Sequence, residues 1–546
     1  MRTSRFMRQR HLLALLALLA LVAAACGSGT TASDAGDSGG DTGTEAADGS
    51  EAAAGGGDSS TLVVGATEVP GNIDPARVYA LFASNVLFNT TNRLVEFQPG
   101  TGEIGPGLAE EWEISEDGTT YTFTLREGVT FHDGSEMTSE DVKWSLERAL
   151  NINHPDGASF LIEGIESIET PDDTTVEITI AEENTTFLSR LNYTVASILP
   201  SDSDAYDAPD ELMSEPAVEE ADEFLQNEQI IGTGPYQLTS YTPGESMTLE
   251  AFVDYWGEAP AIDTVQIQFF EESAQMKNAL DAGEIDFNYN EFTPAERNSL
   301  EATEGITVMS EEGGRIRYIV LDVTQDPYTD VQVRRAMSAA IDRQRIVDEV
   351  FEGAGNPLFS MIPSNFDAHK DYMSDIEAEV PEGTQIELWY PLNKYGDTEP
   401  DVAESISRSL SEAGFEVTTK SADWAAEYSG NLNNGTYAAY LLGWYPDYLD
   451  PDDYIEPFYS EDGFVGFYSN PEMEDLIDEE QSQEIGSEER AQTFDEIQQL
   501  AAEDMPYIPL YSEGQTAYFN DSVEGVENTL TPAQQLWFFV LSKSDG

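Results

Sequence analysis

Four carboxylates stand close together at Asp447, Asp450, Asp452 and Asp453, directly after the apolar run Tyr440-Leu441-Leu442 and the pair Gly443-Trp444. A buried strand that ends in aromatic residues and then in acids can present a ligand site, because the rigid strand fixes what the loop displays. The same spacing also fits a strand followed by a solvated acidic loop. Acids in this number could hold Ca²⁺, but the 447–456 cluster lacks the D-x-D-x-D-G spacing, so solvated side chains are expected of it. The four histidines, His11, His132, His154 and His369, are scattered, and Cys26 is the single cysteine, so neither a metal site nor a disulfide is expected. His132, in the turn FHDG, reads as structural. A P-loop fingerprint is absent, and neither a catalytic residue nor a cofactor is expected.

A chain of 546 residues exceeds one hydrophobic core, so two or more lobes are expected. Asp and Glu number 105 against 24 Lys and Arg, giving a net charge of −81. Such a surface repels phosphate backbones, which excludes nucleic-acid binding as a function. It also suits a saline habitat, where salt screens self-repulsion. Residues 1–25 carry Arg2, Arg5, Arg8 and Arg10, then an apolar run, then Val22 and three alanines, the pattern of an export signal. VAAAC resembles a lipobox, departing from it at Ala23, where Leu is usual, so Cys26 is the expected lipidation site. Residues 27–60 contain only Gly, Ser, Thr, Ala, Asp and Glu, so 26–60 reads as a lipidated cysteine and a disordered acidic linker. The triplet Asp41-Thr42-Gly43 matches the aspartic-protease signature but is a product of that composition.

Order is expected from a short strand at 61–65. Around 108–134, Trp112 and Ile114 alternate with polar neighbours before the turn Asp117-Gly118, and Tyr121, Phe123 and Leu125 alternate with Thr after it, which predicts a β-hairpin. Thr138 to Asp141 then cap a helix with Val142, Leu146 and Ala149 on one face. Strands are expected at 175–180, 247–252 and 265–269, with a helix at 274–282. The continuous apolar run at 317–323 predicts a strand buried on both faces. After it, strands and helices alternate: helix 331–352, strand 386–390, helix 400–413, strand 415–419, a helix near Trp424, the strand leading to Gly443, helix 488–504 and strand 507–511. Such alternation argues for an open α/β sheet. The stretch 515–543 returns to a strand-like pattern that could pair back with the first lobe.

The strings LAEEWEISEDGTTYTFTLREGVTFHDG, GTGPYQL, GEIDF, VRRAMSAAIDRQRIVDEVF and GWYPDYLDP, in this order, resemble the extracytoplasmic solute-binding proteins of ABC importers, in the oligopeptide/dipeptide/nickel-binding family. The resemblance covers 61–546. It implies an α/β, two-lobed periplasmic-binding-protein (Venus flytrap) fold with an extra subdomain in the first lobe. Lobe one would be 61–88, 212–316 and 511–546, the subdomain 89–211 and lobe two 317–510, with hinges near 315–318 and 509–511. A monomer is expected, exported and tethered outside the cytoplasmic membrane, with an oligopeptide and an ABC permease as partners.

For the site, the resemblance implies that Gly443, Trp444 and Tyr445 pair with peptide backbone and that Asp447 holds the peptide's α-ammonium. It implies contacts from Val78, Tyr79 and Ala80 of the first lobe, and a pocket wall at Trp424. Where some relatives place Arg for peptide carboxylates, this chain has Leu441 and, approximately, Leu432. Arg315, Arg317 and Lys394 could substitute, but surface salt bridges are their expected fate. For a nickel complex, His369 finds no match to the family's ligand. A sugar or glycoside is the alternative cargo, with Trp389, Tyr390, Trp424, Trp444 and Tyr445 as stacking platforms. A secreted hydrolase is the remote one.

Overall fold

The apolar run expected at 317–323 forms the second half of a sixteen-residue strand, Ile306–Leu321, whose last six residues are all buried. The computed structural model describes residues 60–202, 230–289, 292–381, 383–392, 394–461, 463 and 467–544. The export signal at 1–25, Cys26, the linker up to 59, the Asp41–Gly43 triplet and the 203–229 part of the expected lobes lie outside the described residues.

Ten strands run through the main sheet: β1 (Thr61–Ala66), β2 (Tyr236–Thr242), β3 (Ser246–Ala251), β4 (Thr264–Phe269), β5 (Phe287–Tyr289), β6 (Ile306–Leu321), β7 (Gln385–Leu392), β8 (Glu416–Asp423), β9 (Ala439–Trp444) and β10 (Tyr507–Asn520). Their order is β8-β7-β9-β6-β10-β5-β1-β4-β3-β2, and the short strand Asn356–Pro357 lies on β10 as the eleventh. The pairs β1–β4 and β7–β8 are parallel. The helix Glu399–Ala413 joins β7 to β8, with Val402, Ile406 and Leu410 buried at i+4 steps. The long strands β6 and β10 pair antiparallel from Ile306–Asn520 to Val320–Tyr507, so they alone run through both halves of the sheet. Their ladder is irregular between Glu311 and Arg315 and again between Arg317 and Tyr318. Gly514 lies against the carbonyl of Glu311, where a Cβ would collide, so the two strands can cross there only because that residue is glycine.

A four-stranded antiparallel sheet stands apart, in the order Ala109–Ile114, Thr120–Leu125, Thr175–Ile180, Ile165–Asp172. The helix Ser139–Ile152 starts from a capping box, with Thr138 N–H donating to the Asp141 carboxylate at 2.8 Å. The hairpin forms where expected, but only its second strand alternates into a core. Tyr121, Phe123 and Leu125 are buried, whereas Ile114 is 48% exposed.

The single helix expected at 331–352 is two, Val331–Ala340 and Arg343–Glu349. Ile341 is extended, and the Asp342 carboxylate accepts from Arg345 N–H, capping the second helix. An Asp inside a good apolar stripe can end one helix by starting the next. Arg343 donates to the Ser338 and Pro509 carbonyls at 2.9 and 2.7 Å, covering backbone freed at the break.

Three main hydrophobic clusters result. One is drawn from Ile316 to Tyr511, a second from Leu62–Leu87, Ile230–Tyr289 and Ala517–Leu541, and a third from Ala76–Ile198. Tyr448 is the outlier in sequence, since it is buried in the third. Among the described residues no helix is long and apolar enough to cross a membrane.

Candidate functional site

Strand β9 is buried because its apolar residues lie between β6 and β7, and it delivers Trp444 to the end of the sheet. Beyond it, Asp450 caps a 3₁₀ turn, Pro451–Tyr454, accepting from Asp452 N–H at 2.9 Å with Pro451 at the first helical position. That turn aims the next acids inward.

The acids at 447–456 are therefore not the solvated set expected of them. Asp447, Asp450, Asp452 and Asp453 are all buried. Asp450 takes both arms of Arg490 at 2.7 Å, and Arg490 also holds Glu480 at 2.8 Å. Asp452 takes Arg190 at 2.7 Å, Tyr448 O–H at 2.8 Å, Gln481 at 3.1 Å and Thr186 O–H at 3.2 Å. In a chain so short of cations, guanidinium groups stand where acids are buried, because an unpaired buried charge is costly. Among the described residues no cluster of His, Cys, Asp and Glu is arranged to hold a metal ion.

Asp447 and Asp453 differ from their neighbours. Asp453 Oδ2 accepts from Trp444 Nε1–H at 3.0 Å and from Asp447 N–H at 3.3 Å. Asp447, 2% exposed, accepts from Tyr79 O–H at 2.9 Å. Among the described residues neither makes an ion pair. Burial pushes the Asp447 carboxyl up to about 8, against the pull of the Tyr79 hydrogen bond and the Arg190 charge. Burial, with the charge of Asp447 beside it, pushes Asp453 well above the usual range.

Tyr79 comes from the other side of the molecule. Its ring meets Phe160 at 5.5 Å, Tyr193 at 5.8 Å and Trp444 at 6.4 Å between centroids. Of the three residues expected from the first lobe, only Tyr79 reaches Asp447. Val78 is buried in the cluster built on β1, β4 and β10, and Ala80 packs against that cluster. Side chains in extended chain alternate between faces, so Val78 and Ala80 turn away together.

Gly443 is in place beside Trp444, but its backbone is occupied. Gly443 N–H donates to Tyr395 Oη at 3.0 Å, and the Tyr395 O–H donates to Gly443 O at 3.3 Å. Tyr445 lies parallel to Tyr395, with centroids 6.4 Å apart and planes at 19°. The Arg317 guanidinium covers the Tyr395 ring at 3.6 Å and pairs with Glu399; Arg315 pairs with Glu513 at 2.9 Å. The surface salt bridges expected of Arg315 and Arg317 are thus largely buried, because β6 brings both beneath the aromatic rings. A Cβ on Gly443 would stand 2.6 Å from Arg317 Nη1, which explains the glycine. Lys394 lies over Trp424 at 4.8 Å. Leu441 is fully buried in the core, so the carboxylate clamp has no counterpart there.

Trp424 is half-buried in a single turn, 424–428, against Tyr395 and Tyr428. Trp389 stacks on Tyr437 at 4.5 Å and 27°. Of the five aromatic residues considered for a sugar platform, Trp389, Trp424 and Tyr445 lie along a chain of rings, Trp389–Tyr437–Tyr428–Trp424–Tyr395–Tyr445, whereas Trp444 meets Tyr79 and Phe458. His369 holds the Ile362 carbonyl and Asp371, and His132 bridges the Gly232–Gly234 backbone.

Phe160, Tyr193, Arg190 and Tyr395 went unread in the sequence, and Asp453 was read only as part of a solvated cluster. No local pattern marks them. The one usable signal was scarcity, since each Arg of so acidic a chain is a candidate for neutralising a buried acid.

Comparison with known proteins fits this geometry. The description "Bacterial extracellular solute-binding proteins, family 5 Middle" matches residues 103–465. The dipeptide-binding protein of Escherichia coli (strain K12) is 30% identical over 416 residues, covering 70% of this chain and 76% of that one. Heme-binding protein A of Haemophilus influenzae is 29% identical over 461 residues, covering 77% and 81%. Among solved structures, the ABC transporter-associated periplasmic binding protein DppA from Helicobacter pylori in complex with peptide STSA superposes with a TM-score of 0.76 at 25% identity, covering 88% of this chain and 98% of that one. The architecture is thus α/β and two-lobed, with the added subdomain in the first lobe that the resemblance implied.

Proposed function

Because this chain belongs to the bacterial extracellular solute-binding proteins of family 5, we propose that it captures oligopeptides between its lobes outside the cytoplasm and hands them to an ABC permease, held at the membrane by a lipid on Cys26. Lobe one comprises 61–88, 212–316 and 511–546, its subdomain 89–211, and lobe two 317–510. The separate hydrophobic clusters support this division. Closure proceeds by population shift, since a ligand touching both lobes favours the state in which both are near. No covalent chemistry is involved, and the protein acts as a monomer.

One observation carries the reading. Asp447 is buried, makes no ion pair among the described residues, and accepts from Tyr79, 368 residues away in sequence. A peptide α-ammonium supplies the missing charge. The ligands for which the relatives are named, a dipeptide in one and the peptide STSA in another, agree with it.

Titration calorimetry with trialanine and with N-acetyl-trialanine tests it. Asp447→Asn is expected to weaken binding of the free amine by about 1–3 kcal/mol, the scale of a charged hydrogen bond, and to leave the weak binding of the acetylated peptide unchanged. Equal affinity in variant and parent removes Asp447 from the site. Recovery of cleaved peptide would make the protein a hydrolase.

The Tyr395 hydroxyl fills the N–H and C=O of Gly443 that a peptide backbone would use. Tyr395→Phe frees both, and trialanine is expected to bind tighter by roughly 1 kcal/mol. Weaker binding would mean that Tyr395 itself holds the ligand.

A further inference from the structure

Among the described residues, six of the ten buried acids are neutralised by a cation. Asp74, Asp286, Glu399, Asp450, Asp452 and Glu480 each meet a Lys or Arg. Asp141 and Asp322 have hydroxyl, amide or backbone donors on both oxygens instead, whereas Asp447 and Asp453, as deeply buried and side by side, meet no cation among the described residues. The Oδ1 atom of Asp453 also has no hydrogen-bond donor, although its partner Oδ2 takes two.

We propose that Asp453 is a second ligand-recognising acid, and that with Asp447 it selects peptides whose first residue carries two positive charges, the α-ammonium and a side-chain ammonium. The proposal deepens the peptide reading and rests on it. One ammonium neutralises Asp447 only. A second, on a short side chain of the same residue, finds in Asp453 Oδ1 an acceptor already stripped of water and still unused.

Among the described residues the surroundings offer no competing cation. Tyr79 and Tyr193 face the pair from one side, and Tyr448, Asp452 and Tyr454 from the loop itself. Burial keeps all four tyrosines neutral. Arg190 is taken by Asp452. Without ligand the two carboxyls hold protons, since two charges in so dry a place repel and lack water. Each ammonium that binds to an ionised acid therefore displaces one proton to solvent, so charge entering as ammonium leaves as H⁺.

The test uses calorimetry at pH 6.5 with the full chain and peptides X-Ala-Ala. X is norleucine, neutral in its side chain, or diaminopropionate, diaminobutyrate, ornithine or lysine, which vary the reach of the second charge. At least one dicationic peptide is expected to bind about tenfold tighter than the norleucine peptide. It is also expected to release about one more proton, read in two buffers of different ionisation enthalpy. Asp453→Asn should erase both differences among the peptides that it binds. Parent protein without preference for any dicationic peptide overturns the proposal, as does a preference that survives in Asp453→Asn. If that variant fails to fold, Asp453→Ser takes its place, and the parent comparison alone still decides. Failure of the parent to bind any of the five overturns the peptide reading itself.

Discussion

Replacing Arg490 by Met is expected to lower the unfolding free energy by about 3–5 kcal/mol. Arg490 lies in the helix Glu488–Asp504 and holds two acids at once, Asp450 in the loop after β9 and Glu480 at the end of the helix Pro471–Gln481. Both acids are almost inaccessible, with side chains 5% and 0% exposed. Methionine fills a similar volume but leaves two carboxylates facing each other without a cation or water. The cost comes from that stranded charge and not from the worth of the pair. Changing all three together, Arg490→Met with Asp450→Asn and Glu480→Gln, should therefore recover much of the loss. Urea denaturation followed by far-ultraviolet circular dichroism measures both. A single variant with the parent's midpoint would show that these acids are not charged in the folded protein.

Arg190→Met is expected to have an effect of the same size, about 3–5 kcal/mol, but a different consequence. Arg190 ends the short helix Phe187–Arg190, whereas Asp452 lies in the loop after β9, so the pair ties two parts of the molecule 262 residues apart in sequence. A stranded Asp452 can regain water if the parts separate, without unfolding either. Small-angle scattering should then show a larger radius of gyration for the variant, and trialanine should bind more weakly, in proportion to the lost fraction of closed molecules. The pH dependence should change sign. Burial raises the Asp452 carboxyl, but Arg190 and the neighbouring donors outweigh it and hold it well below the usual range. In the parent, the contribution of Asp452 to stability is present above the ordinary carboxylate pKa and is lost only in more acid solution. In Arg190→Met the unpaired acid favours its proton, so stability should rise as pH falls from neutrality. A variant with unchanged radius, affinity and pH profile would show that the pair does not hold the parts together.

Much of the fold was legible because secondary structure is written in short-range periods. The alternating strand at 175–180, the helix 488–504 and the i+4 stripe Val402, Ile406, Leu410 came out as read. Helix 331–352 failed because apolar period alone does not register that Asp342 can cap a new helix. Ile114 alternates as an inward residue would, yet the outer strand of a hairpin has nothing to pack on there.

The site divides in the same way. The sequence by itself determined the strand that ends in Gly443-Trp444, the acids that follow it and the family to which the chain belongs, since all of these are carried by neighbours along the chain. The tertiary structure alone decided which of those acids are neutralised. Asp450 and Asp452 found Arg490 and Arg190, while Asp447 and Asp453 found only tyrosine, tryptophan and backbone donors. Charge energy depends on distance and on the exclusion of water. Neither is encoded by separation in sequence, for Tyr79 reaches Asp447 across 368 residues.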